Sequence, residues 1–351
     1  MPSSTRASAT SEPCLMSHLL EIHDLHVQFR TRDGVVHAVE GAELSVDRGR
    51  TLGVVGESGS GKSVTALTVM GLTRFPNADI SGEIIFDGID LVKLPDNQMQ
   101  SVRGKRIAMI FQDPLSSLHP LFKIGWQIVE AIRTHEDVSK KVARKRAIEA
   151  LREVGIPSPE KRVDSYPHEL SGGMRQRAMI AMALALKPDV LIADEPTTAL
   201  DVTVQAQILD LIRRLKDEYQ TAIVMITHDL GVIAELADDV AVMYAGRVME
   251  RTSRHKLFTA PELPYTWGLM RSIPRLDAPR PGRLDSIAGL PPSLIHLPSG
   301  CPFHPRCRYV MDVCLKREPQ LERSEEDHLV ACHLKVEERR RIGRELITQR
   351  K

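Results

Sequence analysis

Excess charge of either sign is missing from this chain: 47 Lys and Arg stand against 46 Asp and Glu, a formal net charge of +1. Affinity for a phosphate backbone comes from surplus Lys and Arg, so a strongly basic nucleic-acid binder is disfavoured and no nucleic-acid partner is expected. Long hydrophobic runs are missing too. None approaches the ~18–20 residues that span a bilayer, and the longest candidate, Ala178 to Leu186, reads as a buried helix. The N-terminus lacks the apolar stretch of a secretory signal, which points to a cytoplasmic chain, able to dock on a membrane protein. Tight CxxC pairs are absent, and so is any internal repeat that would make a second copy of the first domain.

What is present suffices for a large aliphatic core: 42% of the 351 residues are hydrophobic and only 4% aromatic. Disorder of the whole chain is ruled out, and the length suits one large domain plus an appendage. Residues 1–18, rich in Ser, Thr and Ala, read as a disordered leader, with Met16 as an alternative start to Met1. From Leu19, LLEIHDLHVQF and HAVEGAELSV alternate like antiparallel strands. TLGVVG, RIAMIF, DVLIAD and AIVMIT are buried-strand candidates interleaved with helical segments, the pattern of a mostly parallel α/β sheet. IGWQIVEAIRTH and SKKVARKRAIEALREVG are amphipathic helix candidates. Eleven of the 22 prolines lie between Pro261 and Pro319, marking a loop-rich second module.

Between a strand and a helix, residues 56–63 read GESGSGKS, the pattern GxxxxGK[ST]. Its glycines let backbone N–H groups turn inward around a polyphosphate, and the following helix points its positive end at the same place. Lys62 supplies a charge for the outer phosphates and Ser63 a hydroxyl for Mg2+, with Ser58, Gly59, Ser60 and Gly61 as the cradle. This site binds a nucleoside triphosphate. Asp194 ends a hydrophobic strand, placed to hold the Mg2+ shell through water. Glu195 follows it as the candidate general base.

The run Leu170-Ser171-Gly172-Gly173-Met174-Arg175-Gln176-Arg177 resembles the signature motif of ATP-binding cassette (ABC) ATPases. Gln112 in IFQDP matches the Q-loop, Thr198-Ala199-Leu200-Asp201 the D-loop and His228 in ITHD the switch histidine, in the family's order over roughly residues 19 to 260. The resemblance implies a P-loop NTPase cassette with a mostly parallel core, an antiparallel β subdomain and a helical subdomain. It assigns catalysis to Glu195, His228 and Gln112, and Mg2+ to Ser63, Gln112 and Asp194. It also implies head-to-tail pairing with a second cassette, a paralogue or self, whose ATP meets Ser171, Gly172 and Gly173. Phe29, the only aromatic between the leader and Gly56, is a candidate to stack on adenine and equally a core residue.

Past residue 260 the chain resembles the C-terminal extension of oligopeptide and dipeptide importer ATPases, through PELPYTWGLM, AGLPPSL and GCPFHPRCRYVMDVC. IFQDPLSSLHP fits that subgroup with His119 where Asn is usual. The implied partners are two transmembrane permease subunits and, through the complex, an extracytoplasmic solute-binding protein, with this chain peripheral at the cytoplasmic face of the inner (plasma) membrane. Peptide is the implied cargo, with nickel or another small solute as the alternative, and a soluble ABC ATPase acting on nucleic acid or ribosomes as the remoter one. Cys301, Cys307, Cys314 and Cys332 form C-x5-C-x6-C-x17-C, while Cys14 stands apart. In a reducing compartment such clustering suggests metal more than disulfide. The resemblance implies a 4Fe-4S cluster. Zn2+, with His304, His328 or His333 as an alternate ligand, and free structural thiols are the other readings.

Overall fold

The computed structural model describes residues 18–113, 117–198, 201–272 and 287–350. The alternating segments form an antiparallel sheet of β1 (Leu20–Thr31), β2 (Gly34–Val46), β4 (Ala78–Phe86) and β5 (Ile89–Asp90), in the order β2-β1-β4-β5. Its inner face buries Leu25, Val27, Val39, Ile84 and Phe86.

The continuous apolar runs behave differently. β3 (Thr51–Val55), β7 (Val190–Asp194) and β8 (Ala222–Thr227) are buried along their whole length, as is β6 (Ile107–Ile110). Strands covered on both faces belong to a parallel sheet, where no polar alternation is needed. With β9 (Asp239–Tyr244) they run parallel as β9-β3-β8-β7-β6. Antiparallel β10 (Arg247–Ser253) then extends the sheet, followed by β12 (His328–Val330) and β11 (Glu322–Glu325).

The two amphipathic segments form the helices Ile124–His135 and Lys140–Glu153, which pack with the helix Gly172–Leu184 through Ile128, Ile132, Ala147, Leu151 and Ala178. Ala178–Ala181 and Leu184 are buried, as the short Ala/Met/Leu run requires.

The extension is continuous with the core sheet. At its root Glu250 on β10 is 0% exposed and accepts from the Glu262 N–H (2.8 Å), the Thr266 hydroxyl and His328 Nε2 (2.8 Å). A buried carboxylate is tolerated only when its lone pairs are filled, and here three elements fill them. Glu262, also buried, pairs with Arg339 (3.3 Å) and Arg340 (3.0 Å) of the C-terminal helix Val336–Arg350. Among the described residues, no helix is long and apolar enough to cross a membrane.

Candidate functional site

Parallel order brings four strand ends side by side. The phosphate loop leaves β3, His228 follows β8, Asp194 closes β7 and Glu195 comes after it, and Gln112 follows β6 two residues beyond Ile110. The crevice beyond the carboxyl ends of a parallel sheet is where such folds place ligands.

Gly61 caps the helix Lys62–Val69 in a left-handed conformation (φ +100°), and a Cβ there would stand 2.5 Å from the Ala38 carbonyl oxygen. Only glycine fits this close approach. The Lys62 ammonium donates to the carbonyls of Gly56 (2.7 Å) and Glu57 (2.8 Å) and to Ser60 Oγ (3.2 Å). Burial pulls its pKa below the usual lysine range, against the pull of Glu195, Asp194 and Glu57. Ser58 and Gly59 form the exposed rim of the loop.

Ser63 Oγ donates to Asp194 Oδ1 across 3.1 Å. Burial raises the Asp194 carboxyl above the ordinary range, partly offset by that hydrogen bond. An adjoining hydroxyl and carboxylate beside a phosphate loop are a fitting oxygen donor set for Mg2+.

Glu195 is the hub. Its Oε2 accepts from Gln112 Nε2 (2.9 Å) and Thr198 Oγ1 (2.9 Å), and its Oε1 lies 2.9 Å from His228 Nδ1. Burial pushes its pKa up, but His228, Thr198 and the nearby Lys62 charge outweigh it and hold the carboxyl below the usual glutamate range. It stays ionised at neutral pH, as a proton acceptor must. Its φ of +47° is a left-handed conformation rare outside glycine, of the strained kind that clusters at active sites.

Ser171, Gly172 and Gly173 lie elsewhere, at the start of the helix Gly172–Leu184. Ser171 caps it by accepting from Met174 N (3.3 Å), and Ser171 and Gly172 are exposed. Gln176 on the same helix donates to the Pro196 carbonyl, tying this helix to the loop after Glu195. Ala199 and Leu200 lie outside the described residues. Asp201 caps the helix Val202–Tyr219 through Val204 N (2.9 Å).

Phe29 pairs opposite Val36 on the antiparallel sheet and packs, half-buried, on that sheet's core. The backbone of His37 and Ala38, rather than Phe29, reaches Gly246 and the phosphate loop. Three contacts with the site escaped the sequence reading. Thr198 braces Glu195. The Tyr265 hydroxyl accepts from the Glu57 N–H (2.8 Å), and Arg306 pairs with the Glu57 carboxylate. Tyr265 and Arg306 lie 208 and 249 residues away, and nothing local marks them.

Cys301, Cys307, Cys314 and Cys332 form no disulfide among the described residues; Cys314 is buried and the others are half-buried. The Cys301 N–H donates to the Cys314 carbonyl (2.9 Å), and the Tyr309 N–H points at Cys307 Sγ (3.4 Å). Burial pushes Cys301 up to about 12 and Cys332 up to about 11, with neighbouring cysteines adding to the rise. Among the described residues, no group of three or more His, Cys, Asp and Glu side chains is gathered to hold a metal ion. The expectation of His328 as an alternate zinc ligand is corrected: it is buried in the sheet core against Glu250.

These strand ends define the class: a P-loop ATPase of the ABC type. Residues 39–198 match the ABC transporter family, and residues 249–314 match the oligopeptide/dipeptide transporter C-terminal region. The chain is 51% identical over 316 residues to the oligopeptide transport ATP-binding protein OppD of Bacillus subtilis, covering 90% of this chain and 88% of that one. It is 50% identical over 320 residues to OppD of Escherichia coli K12, covering 91% and 94%. A dimeric post-hydrolysis state of the ATP-binding cassette MJ0796 bound to ADP and Pi superposes with a TM-score of 0.61 at 26% identity, covering 67% of this chain and 98% of that one. The chain belongs to the family of oligopeptide transport ATP-binding proteins, and it is an ATPase.

Proposed function

We propose that this chain powers peptide import by hydrolysing ATP at the strand-end site, paired with a second cassette beneath two permease subunits and fed by an extracytoplasmic binding protein. The observation that carries the reading is the convergence of Gln112, Thr198 and His228 on the Glu195 carboxylate, next to Asp194 and the phosphate loop.

In this proposal Ser58, Gly59, Ser60, Gly61, Lys62 and Ser63 hold the phosphates. Ser63, Asp194 and Gln112 hold the Mg2+ shell. The ion, when bound, neutralises charge developing on the transferred phosphoryl group. Glu195 accepts the proton of the attacking water, and His228 holds the γ-phosphate and steadies the carboxylate. Ser171, Gly172 and Gly173 offer free backbone N–H groups at a helix start to ATP held by the partner cassette. Phe29 stays with the sheet core. The dimeric MJ0796 cassette supports pairing, as does Val202, 83% exposed beside Asp201. Closure of the pair and its reset by hydrolysis shift the permease between two states.

The permease docking face follows Gln112 in the chain. Leu121 is 76% exposed, and Phe122 and Trp126 stack at 4.1 Å, both exposed. An apolar step beside the nucleotide-sensing loop suits a short cytoplasmic helix of a membrane subunit and supports a seat on the inner membrane face.

Functionally, residues 19–260 are the cassette and 261–351 the extension. Cys301, Cys307, Cys314 and Cys332 on a loop-rich segment are the soft donors that a 4Fe-4S cluster would take, with Zn2+ as the other candidate, although the described residues do not gather three of them into a ligand group. The cluster, when bound, would cross-link Cys301, Cys307, Cys314 and Cys332 and stabilise the extension. Iron and zinc assays with a visible spectrum on protein purified without oxygen test this; absence of both metals overturns it.

The test of function is uptake of labelled oligopeptide by vesicles holding the assembled transporter with ATP on the cassette side. Uptake that requires ATP supports the reading, and uptake of nickel alone overturns the peptide assignment.

A further inference from the structure

Glu57 sits inside the phosphate loop, yet its side chain faces the extension. Arg306 grips its carboxylate with both arms, Nη1 to Oε2 at 2.5 Å and Nη2 to Oε1 at 3.0 Å. The Arg306 side chain is 5% exposed. Its Nε donates to the Ala288 carbonyl (3.0 Å), and Nη1 also lies 3.3 Å from the Tyr244 hydroxyl. The fork is therefore fixed before it meets Glu57. Arg306 ends the short turn His304–Arg306, directly before Cys307, and that turn leans through Phe303 on Tyr244 and Tyr265.

The backbone of Glu57 is held as well. Tyr265 takes its N–H (2.8 Å), while its carbonyl receives Lys62 (2.8 Å) and the Ser60 N–H (3.2 Å). One residue thus joins the extension to the loop lysine. A carboxylate so close to a polyphosphate site would repel the ligand unless neutralised, and a buried bidentate guanidinium is a strong way to neutralise it.

We propose that Arg306 is a positioning residue for ATP: by clamping and neutralising Glu57 it sets the phosphate loop for binding, so that the fold of the cysteine-bearing turn controls nucleotide affinity. Arg306 acts through Glu57 and touches no phosphate itself. The inference rests on the phosphate loop holding ATP, which Lys62→Ala tests separately, since that variant loses binding whatever Arg306 does.

The experiment is a comparison of ATPase kinetics and ATP affinity in the assembled transporter. Arg306→Ala should raise KM and Kd for ATP on the order of tenfold with kcat nearly unchanged, the signature of weakened binding rather than damaged chemistry. Adding Glu57→Gln should restore most of the affinity, because the bare carboxylate is then gone. Arg306→Lys, which keeps the charge but loses the fork, should fall between. An unchanged KM in Arg306→Ala overturns the proposal, as does a double variant no better than the single one. If Arg306→Ala fails to fold, Arg306→Lys and Glu57→Gln decide: a raised KM in the first with an unraised KM in the second supports the clamp, and any other pattern overturns it.

Discussion

Replacing Glu195 by Gln removes the proton acceptor while keeping the shape of the side chain. The backbone there is pinned by the Glu195 N–H to the Ile226 carbonyl (2.9 Å). The amide oxygen can still accept from Thr198 and Gln112, both 2.9 Å away in the native chain, so displacement of the side chain is not expected. The amide nitrogen can donate to His228 Nδ1 in one tautomer. Binding groups on the phosphate loop and Asp194 are untouched. A positioned general base contributes roughly 10²–10⁴ in rate, or about 2.7–5.4 kcal/mol of barrier. Single-turnover hydrolysis should therefore fall by that factor while ATP affinity stays within about threefold. Unhydrolysed ATP should also make a closed pair of cassettes accumulate, visible by light scattering or cross-linking. Hydrolysis within tenfold of the native rate would remove Glu195 from the role of base. Loss of ATP binding would show instead that the carboxylate mainly supports the loop.

Gly61→Ala forces a Cβ to 2.5 Å from the Ala38 carbonyl at φ +100°, so ATP affinity should weaken by about 1–3 kcal/mol, read by nucleotide titration. Glu250→Leu strips the acceptor from three buried donors. It should destabilise the chain by about 3–5 kcal/mol in denaturant melts, with proteolysis starting in the extension. Asp189 is lifted by burial but held below its ordinary pKa by Arg48 and Arg106. Its contribution is thus present above about pH 4 and lost as pH falls through the depressed folded value. Asp189→Asn should lower stability at pH 7 by about 1 kcal/mol, since the group is partly solvent-screened, and flatten the acid limb of the stability curve.

Much of the fold was legible because its signals are local. TLGVV, DVLIAD and AIVMIT are short continuous apolar runs, and each forms a buried parallel strand; the alternation from Leu19 forms the antiparallel sheet. The phosphate loop, Asp194, Glu195 and His228 were legible because strand-end chemistry is written in contiguous residues. Strands β11 and β12 were not, since Glu322–Glu325 is polar and edge-lying and His328–Val330 is only three residues long. Glu250 and His328 look like surface residues in sequence, and only the sheet order buries them together. The Arg306–Glu57 clamp has no sequence period at all, because it is a tertiary contact between a phosphate loop and a proline-rich turn.

The crux of the mechanism is the harnessing of hydrolysis at this strand-end site to peptide movement. It is tested most directly by the ATPase rate of the reconstituted transporter with and without peptide-loaded binding protein. Stimulation by peptide, abolished in Glu195→Gln, is the expected result. A rate indifferent to peptide, or one raised by nucleic acid or ribosomes instead, would contradict it.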